Sequence, residues 1–109
     1  MSVNYLGKIT SAEFGFDRDR DYLMGLHLRF QFDGSSVGSG SKYTENVSSS
    51  CKWESNDKRN MMITCLVDNI YKILKDAKVT KVSELVNKPV LLTIEGGIFK
   101  DFRILTEVL

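Results

Sequence analysis

The clearest hydrophobic pattern in the chain is a strict alternation across residues 22–33. Apolar side chains occupy every second position, namely Tyr22, Met24, Leu26, Leu28, Phe30 and Phe32. A period of two predicts a long β-strand with one buried face. A weaker alternation in residues 8–16 puts Thr10, Ala12, Phe14 and Phe16 on one face and predicts a preceding strand. The charged residues 17–20 between the two strands predict the turn of an antiparallel hairpin.

Residues 57–77 carry apolar side chains at helical spacing instead. One face consists of Met62, Leu66, Ile70, Ile73, Leu74 and Ala77, and Ile63, Val67 and Tyr71 widen it. This spacing predicts an amphipathic helix with Asn56 as its N-cap. Cys65 is expected to be buried on this helix.

The C-terminal third predicts a short helical turn capped by Ser83 and then a second hairpin. Val90, Leu92 and Ile94 alternate with Leu91, Thr93 and Glu95, and Gly96-Gly97 is a typical two-residue turn. The returning strand, residues 98–108, has Phe102 and Ile104 on one face and Phe99, Arg103 and Leu105 on the other. Apolar side chains on both faces predict an interior strand or one at a subunit contact.

The predicted order is therefore β-β-α-β-β, with a long polar connection before the helix that holds a short strand at residues 42–47. One main helix on one face of an antiparallel sheet is an α+β fold. The 109 residues, 42% hydrophobic and 27% charged, predict a single globular domain over residues 1–109. No apolar run is long enough for a membrane helix, and the N-terminus does not resemble a signal peptide. We therefore expect a cytoplasmic protein that does not contact membranes.

The chemistry-bearing residues are few. The net charge of +1 disfavours a nucleic-acid partner, because such domains usually carry a basic excess. The single histidine, His27, falls on the polar face of its strand, where a solvated side chain is expected. Cys51 and Cys65 lack the spacing of a metal site and are expected to be free thiols. With no catalytic motif, we expect neither an enzyme nor a cofactor or metal.

The best candidate for a binding site is the Gly/Ser-rich segment that follows the long strand. It lacks the spacing of a phosphate-binding Walker loop, and the alternative is a flexible connection. Its backbone N–H groups, serines and flanking Lys42 and Tyr43 could hold a small anion. The candidate residues in this segment are Ser36, Gly38, Ser39, Gly40, Ser41, Lys42 and Tyr43.

Two further residues join this candidate set. Trp53 is an aromatic side chain in a polar context, which is typical either of a binding anchor or of a plug at the open end of the sheet. Arg103 interrupts the apolar last strand, where it could bind an anion or an opposing subunit.

Four stretches, residues 23–30, 38–43, 89–93 and 99–105, resemble small proteins encoded by bacteriophages and prophages. In those proteins a strand runs into a Gly-rich loop, followed by a helix and a terminal hairpin. The resemblance implies a phage accessory protein that counters host defence in the host cytoplasm.

Three functional hypotheses follow from the residues and the resemblance. The first is a homo-oligomer that sequesters a small, nucleotide-like immune signal. The second is a stoichiometric protein inhibitor of a host defence effector, like an anti-CRISPR protein. The third is a weak nucleic-acid-binding accessory protein that uses Lys42, Lys52, Trp53 and the helix lysines.

Overall fold

The computed structural model describes residues 2–17, 19–20, 22–46 and 55–108, which form one antiparallel sheet and one long helix. The elements are β1 (Ser2–Phe16), β2 (Leu23–Phe32), β3 (Ser35–Gly38), β4 (Thr44–Asn46), α1 (Asn56–Ala77), β5 (Pro89–Glu95) and β6 (Ile98–Ile104). Short 3₁₀ turns cover Val82–Leu85 and Thr106–Val108. The strand order is β3-β2-β1-β5-β6, and β4 also pairs with β2. The predicted α+β class is confirmed.

The polar connection before α1 contains more structure than its sequence predicts. The short strand expected within residues 42–47 is present as β4, but β3 was not predicted. Both strands pair with β2, β3 alongside Arg29–Phe32 and β4 alongside Leu23–Gly25. β1 occupies one edge of β2. The two short strands β3 and β4 therefore both lie along the opposite edge of β2, where they act as one interrupted strand. None of the described helices combines the length and the apolar character that a membrane crossing requires.

The β1–β2 hairpin turns at the charged residues, as predicted. The Oδ1 atom of Asp17 accepts hydrogen bonds from the backbone N–H groups of Asp19 (2.9 Å) and Arg20 (3.2 Å). The N–H of Asp17 donates to the carbonyl of Leu23 and closes the turn at 2.9 Å. The bond from Asp19, helped by the Arg20 guanidinium, lowers the pKa of the Asp17 carboxyl. The ionised aspartate therefore stabilises this turn.

A β-bulge in β1 changes which of its side chains face the core. Ile9 lies opposite Phe30 and Ser11 lies opposite Arg29, so Thr10 is an extra residue that has no β2 residue opposite it. One inserted residue reverses the alternation. Ile9 and Ala12 are consequently both buried, whereas Thr10 is exposed. The prediction that Thr10 and Ala12 share one face of the strand is wrong for this reason.

A second bulge corrects the prediction for the last strand. Thr93 lies opposite Asp101 and Ile94 opposite Phe99, which leaves Lys100 as the extra residue. The bulge brings Phe99 to the same face as Phe102 and Ile104, so these three side chains do not divide between two faces, and only Ile98 among the apolar residues of β6 is exposed on the other face. The strand ends at Ile104 and lies at the edge of the sheet, not in its interior.

The sheet is strongly curled. The ring of Phe30 on β2 lies 5.1 Å from that of Phe99 and 4.9 Å from that of Phe102, both on β6. In a flat sheet three strand spacings would separate β2 from β6, roughly 14 Å. The curl therefore brings the two edges of the sheet towards each other, and the buried side chains fill the space inside. The largest fully buried ones are Ile9, Leu26, Leu28, Phe30, Leu85, Val90 and Leu92.

The helix begins one residue earlier than predicted. Its N-cap is Ser55 and not Asn56, since the Ser55 hydroxyl accepts a hydrogen bond from the N–H of Lys58 at 3.1 Å. The 3₁₀ turn that follows has Lys81 at its N-cap position without a side-chain hydrogen bond, so the predicted Ser83 cap is also wrong.

The buried face of α1 is narrower than predicted. Leu66 and Ala77 are buried, and Ile70, Ile73 and Leu74 pack against the core. Val67 and Tyr71, predicted to widen this face, are 58% and 59% exposed. Cys65 is an exposed free thiol and not a buried one. A curled sheet offers the helix only the narrow gap between its edges, so the flanks of the apolar stripe remain in solvent.

Candidate functional site

The Gly/Ser segment forms two consecutive turns between β3 and β4. The N–H of Lys42 donates to the carbonyl of Ser39, and the N–H of Thr44 donates to that of Ser41, both at 3.2 Å. Gly40 takes a φ of 59° inside the first turn, a conformation that favours glycine. These hydrogen bonds give the segment a definite shape, which a purely flexible connection would lack.

Ser39 holds this loop onto the sheet. Its N–H donates to the carbonyl of Leu28 at 2.9 Å, and its hydroxyl oxygen accepts from the N–H of Leu28 at 3.0 Å. The residue is only 5% exposed. The N–H, the carbonyl and the hydroxyl oxygen of Ser39 are therefore all hydrogen-bonded within the protein, and these bonds position the loop.

An open groove of about 550 Å³ lies between the loop and the β5–β6 hairpin. One wall consists of residues 37–42 and the other of residues 97–100. Lys42 belongs to the loop wall of this groove and Lys100 to the hairpin wall, and the described lining contains no acidic side chain. The exposed Ile98 and the half-buried Val37 contribute an apolar surface. The groove thus combines positive charge with apolar contact.

Neither lysine is firmly held by a counter-charge. Lys100 lies 4.0 Å from the Glu95 carboxylate, with both side chains about half exposed. The Lys42 ammonium lies 6.0 Å from the centre of the Tyr43 ring. Among the described residues, no acceptor bonds the backbone N–H of Gly40 or of Ser41. Two cations and two peptide N–H groups are therefore left for an anion.

Tyr43 and Arg103 belong to a different cleft. Tyr43 is 7% exposed, and its ring packs edge-on against Phe99 and Phe102. Burial raises the pKa of its phenol, and the Asp101 carboxylate raises that pKa further. The Arg103 guanidinium lies 3.4 Å from Glu107. Both residues line a smaller cavity of about 180 Å³ against α1.

The predicted candidates therefore divide into three groups. Gly38 to Lys42 line the groove, whereas Tyr43 and Arg103 line the neighbouring cleft. Ser36 lies outside both on β3, where its hydroxyl accepts from the Arg29 guanidinium at 3.2 Å. Trp53 falls outside the described residues.

Comparison with family models, curated proteins and solved structures gave no significant match. The likeness to phage-encoded proteins accordingly stays a prediction from the sequence.

Lys100 and Ile98 are two of the groove residues that the sequence did not predict. They lie almost 60 positions after the Gly/Ser loop, and no local pattern links the two segments. The Gly96-Gly97 turn was the only available signal, since it predicted where the hairpin tip would fall. The tip of the β5–β6 hairpin lies beside the Gly/Ser loop only because the sheet is curled.

His27 contacts the backbone of β1. Its ring Nε2 atom lies 2.9 Å from the carbonyl oxygen of Gly15, and the side chain is half-buried instead of solvated as predicted. Within the described residues, no cluster of histidine, cysteine and acidic side chains could hold a metal ion. The arrangement of the groove can bind and orient an anion.

Proposed function

We propose that this protein is a non-enzymatic binding protein of the anti-defence type, which sequesters a nucleotide-like immune signal as a homo-oligomer in the host cytoplasm. The phage context rests on the resemblance of the sequence. The ligand class rests on the groove between the Gly/Ser loop and the β5–β6 hairpin.

The observation that carries this proposal is the pair of lysines in a groove lining without acidic side chains. A phosphate group would lie between Lys42 and Lys100 and accept hydrogen bonds from the N–H groups of Gly40 and Ser41. The less polar part of a nucleotide would rest on Ile98 and Val37. A ligand with one anionic end and one flat, less polar end fits these two surfaces.

The proposal is tested by calorimetric titration and thermal shift with inorganic phosphate, cyclic nucleotides and ADP-ribose isomers. We expect at least one nucleotide to bind, with an affinity that falls as salt is raised because the lysines are exposed. Lys42→Ala and Lys100→Ala should each weaken binding roughly 5- to 10-fold, about 1–1.4 kcal/mol.

Lys58→Ala is the matched control, because Lys58 is an exposed lysine of α1 that does not line the groove. It should bind like the unmodified protein. If no nucleotide binds, or if all three lysine variants behave alike, the groove is not the site.

One observation favours a second function, the stoichiometric inhibition of a host protein. Met61, Val67 and Tyr71 expose more than half of their surface on α1, and exposed apolar side chains of this size are typical of protein interfaces. This function predicts that a host effector co-purifies with the protein in a fixed ratio. Tyr71→Ala should then release the effector, whereas Lys100→Ala should not.

A further inference from the structure

The outer end of β1 has an unpaired edge. β5 pairs with β1 only from Ser2 to Lys8, and the chain before β5 adds hydrogen bonds at Ile9. Beyond that point β1 continues to Phe16, paired with β2 on one side only. No described strand pairs with the other side of residues 12–16. Such an edge is a template for another strand, because the N–H and C=O groups that point away from β2 have no partner among the described residues.

Two phenylalanines flank this edge on the core face of the sheet. Phe14 lies opposite the fully buried Leu26, and Phe16 lies opposite Met24. Residues opposite each other on paired strands share a face. Yet Phe14 is 54% and Phe16 is 56% exposed, because no described residue covers this end of the sheet.

We propose that a second copy of this chain pairs with the free edge of β1, antiparallel and about a two-fold axis at Phe14. A two-fold relation lets one surface meet itself, so a single sequence supplies both sides. Side-chain parity allows only registers in which residues of the same face meet. The neighbouring charges select among these registers.

Three registers place the phenylalanines near the axis. An axis at Glu13 puts the carboxylates of the two copies opposite each other. An axis at Gly15 puts Glu13 opposite Asp17 of the other copy. Like charges directly opposite are destabilising, which leaves the axis at Phe14. There the two Phe14 rings meet, Phe16 covers the small Ala12 of the other copy, and Glu13 faces Gly15.

The apolar surface that Phe14 and Phe16 can bury determines how tightly the two copies bind. A phenylalanine offers roughly 150–250 Å² for burial, so two half-exposed rings supply roughly 200 Å² per copy. A stable interface needs about 800 Å² per partner. The pairing is therefore a weak dimer that forms with rising concentration. This dimer would be the homo-oligomer that the proposed function names, but its formation does not depend on ligand binding in the anion groove.

The first test is sedimentation velocity from about 10 µM to about 1 mM protein, a range that detects weak association. We expect a monomer that converts to a dimer. Phe14→Lys should remain monomeric throughout. Tyr71→Lys is the matched control, since Tyr71 is exposed to a similar extent on α1, and it should dimerise normally.

The second test reads the register by oxidative crosslinking in a Cys51→Ser, Cys65→Ser background. Phe14→Cys should form a disulfide-linked dimer, because opposed residues lie about 4.5–5.5 Å apart, within disulfide range. Phe16→Cys should not crosslink, since the two copies of that residue would be roughly 13 Å apart.

Crosslinking of Phe16→Cys in place of Phe14→Cys would overturn the register. A chain that stays monomeric at the highest concentration would overturn the interface itself. Nucleotide binding by such a monomer would still leave the groove proposal standing, so the two proposals fail separately.

Discussion

Replacing Ser39 by alanine separates a structural role of the Gly/Ser loop from a ligand-binding one. The Ser39 hydroxyl is the acceptor for the buried N–H of Leu28, at 3.0 Å. Alanine removes this acceptor and leaves the Leu28 N–H without a partner. A buried donor that loses its partner costs about 1–3 kcal/mol of stability.

The expected shift is large enough to measure. With an unfolding entropy of about 2.1 cal/mol/K per residue, a chain of this length loses roughly 4 °C in Tm for each kcal/mol. The Ser39→Ala variant should therefore melt roughly 4–13 °C lower. With a urea dependence of about 1–3 kcal/mol/M, the denaturation midpoint should also fall by about 0.3–3 M at an unchanged slope.

Ser41→Ala is the control, because Ser41 is exposed in the same loop. Its free energy of unfolding should change by less than about 0.5 kcal/mol. Equal midpoints for the two variants would refute the structural role of Ser39. If the Ser39→Ala protein has normal stability but binds nucleotide more weakly, Ser39 contacts the ligand and does not serve mainly to hold the loop.

Three other predictions test the fold. Phe30→Ala should cost about 3–5 kcal/mol, because the fully buried ring stacks on two aromatic rings of β6, and urea denaturation at matched slope measures the loss. Gly25→Ala should destabilise the β2–β4 pairing, since an added Cβ would overlap the carbonyl oxygen of Tyr43; a Tm equal to that of the unmodified protein would contradict this contact. The lowered pKa of Asp17 means that its stabilising effect is fully present above its ordinary value of 3.8 and is lost as the pH falls through the lower folded value. Asp17→Asn should remove this part of the acid dependence in unfolding curves collected between about pH 5 and pH 2, and identical pH profiles would exclude the turn as its source.

Local patterns predicted the elements well where a pattern repeats over many residues. Six apolar positions at a period of two located β2, and the 3–4 spacing from Met62 to Ala77 located α1. The Asp17 turn and the Gly96-Gly97 turn followed from residue chemistry alone. β3 was missed because a four-residue strand of small and polar residues carries no hydrophobic period.

The candidate site could be predicted only in part. The Gly/Ser loop was identified by composition, but the sequence grouped Arg103 and Tyr43 with it, and the structure places them in a separate cleft. The sequence also did not predict that Ser39 anchors the loop by exchanging two hydrogen bonds with Leu28 of β2. Such a role depends on which strand lies beside the loop, which no local pattern reveals.

The sequence by itself determined the two hairpins, the helix and the helix face that packs inward, because these depend on interactions between residues close in the chain. Only the tertiary structure decided which side chains of β1 and β6 face the core. Each strand contains a bulge at Thr10 or Lys100, and a bulge exists only relative to the partner strand. The curl of the sheet likewise decided that Lys100 meets the Gly/Ser loop, since that contact joins residues distant in sequence.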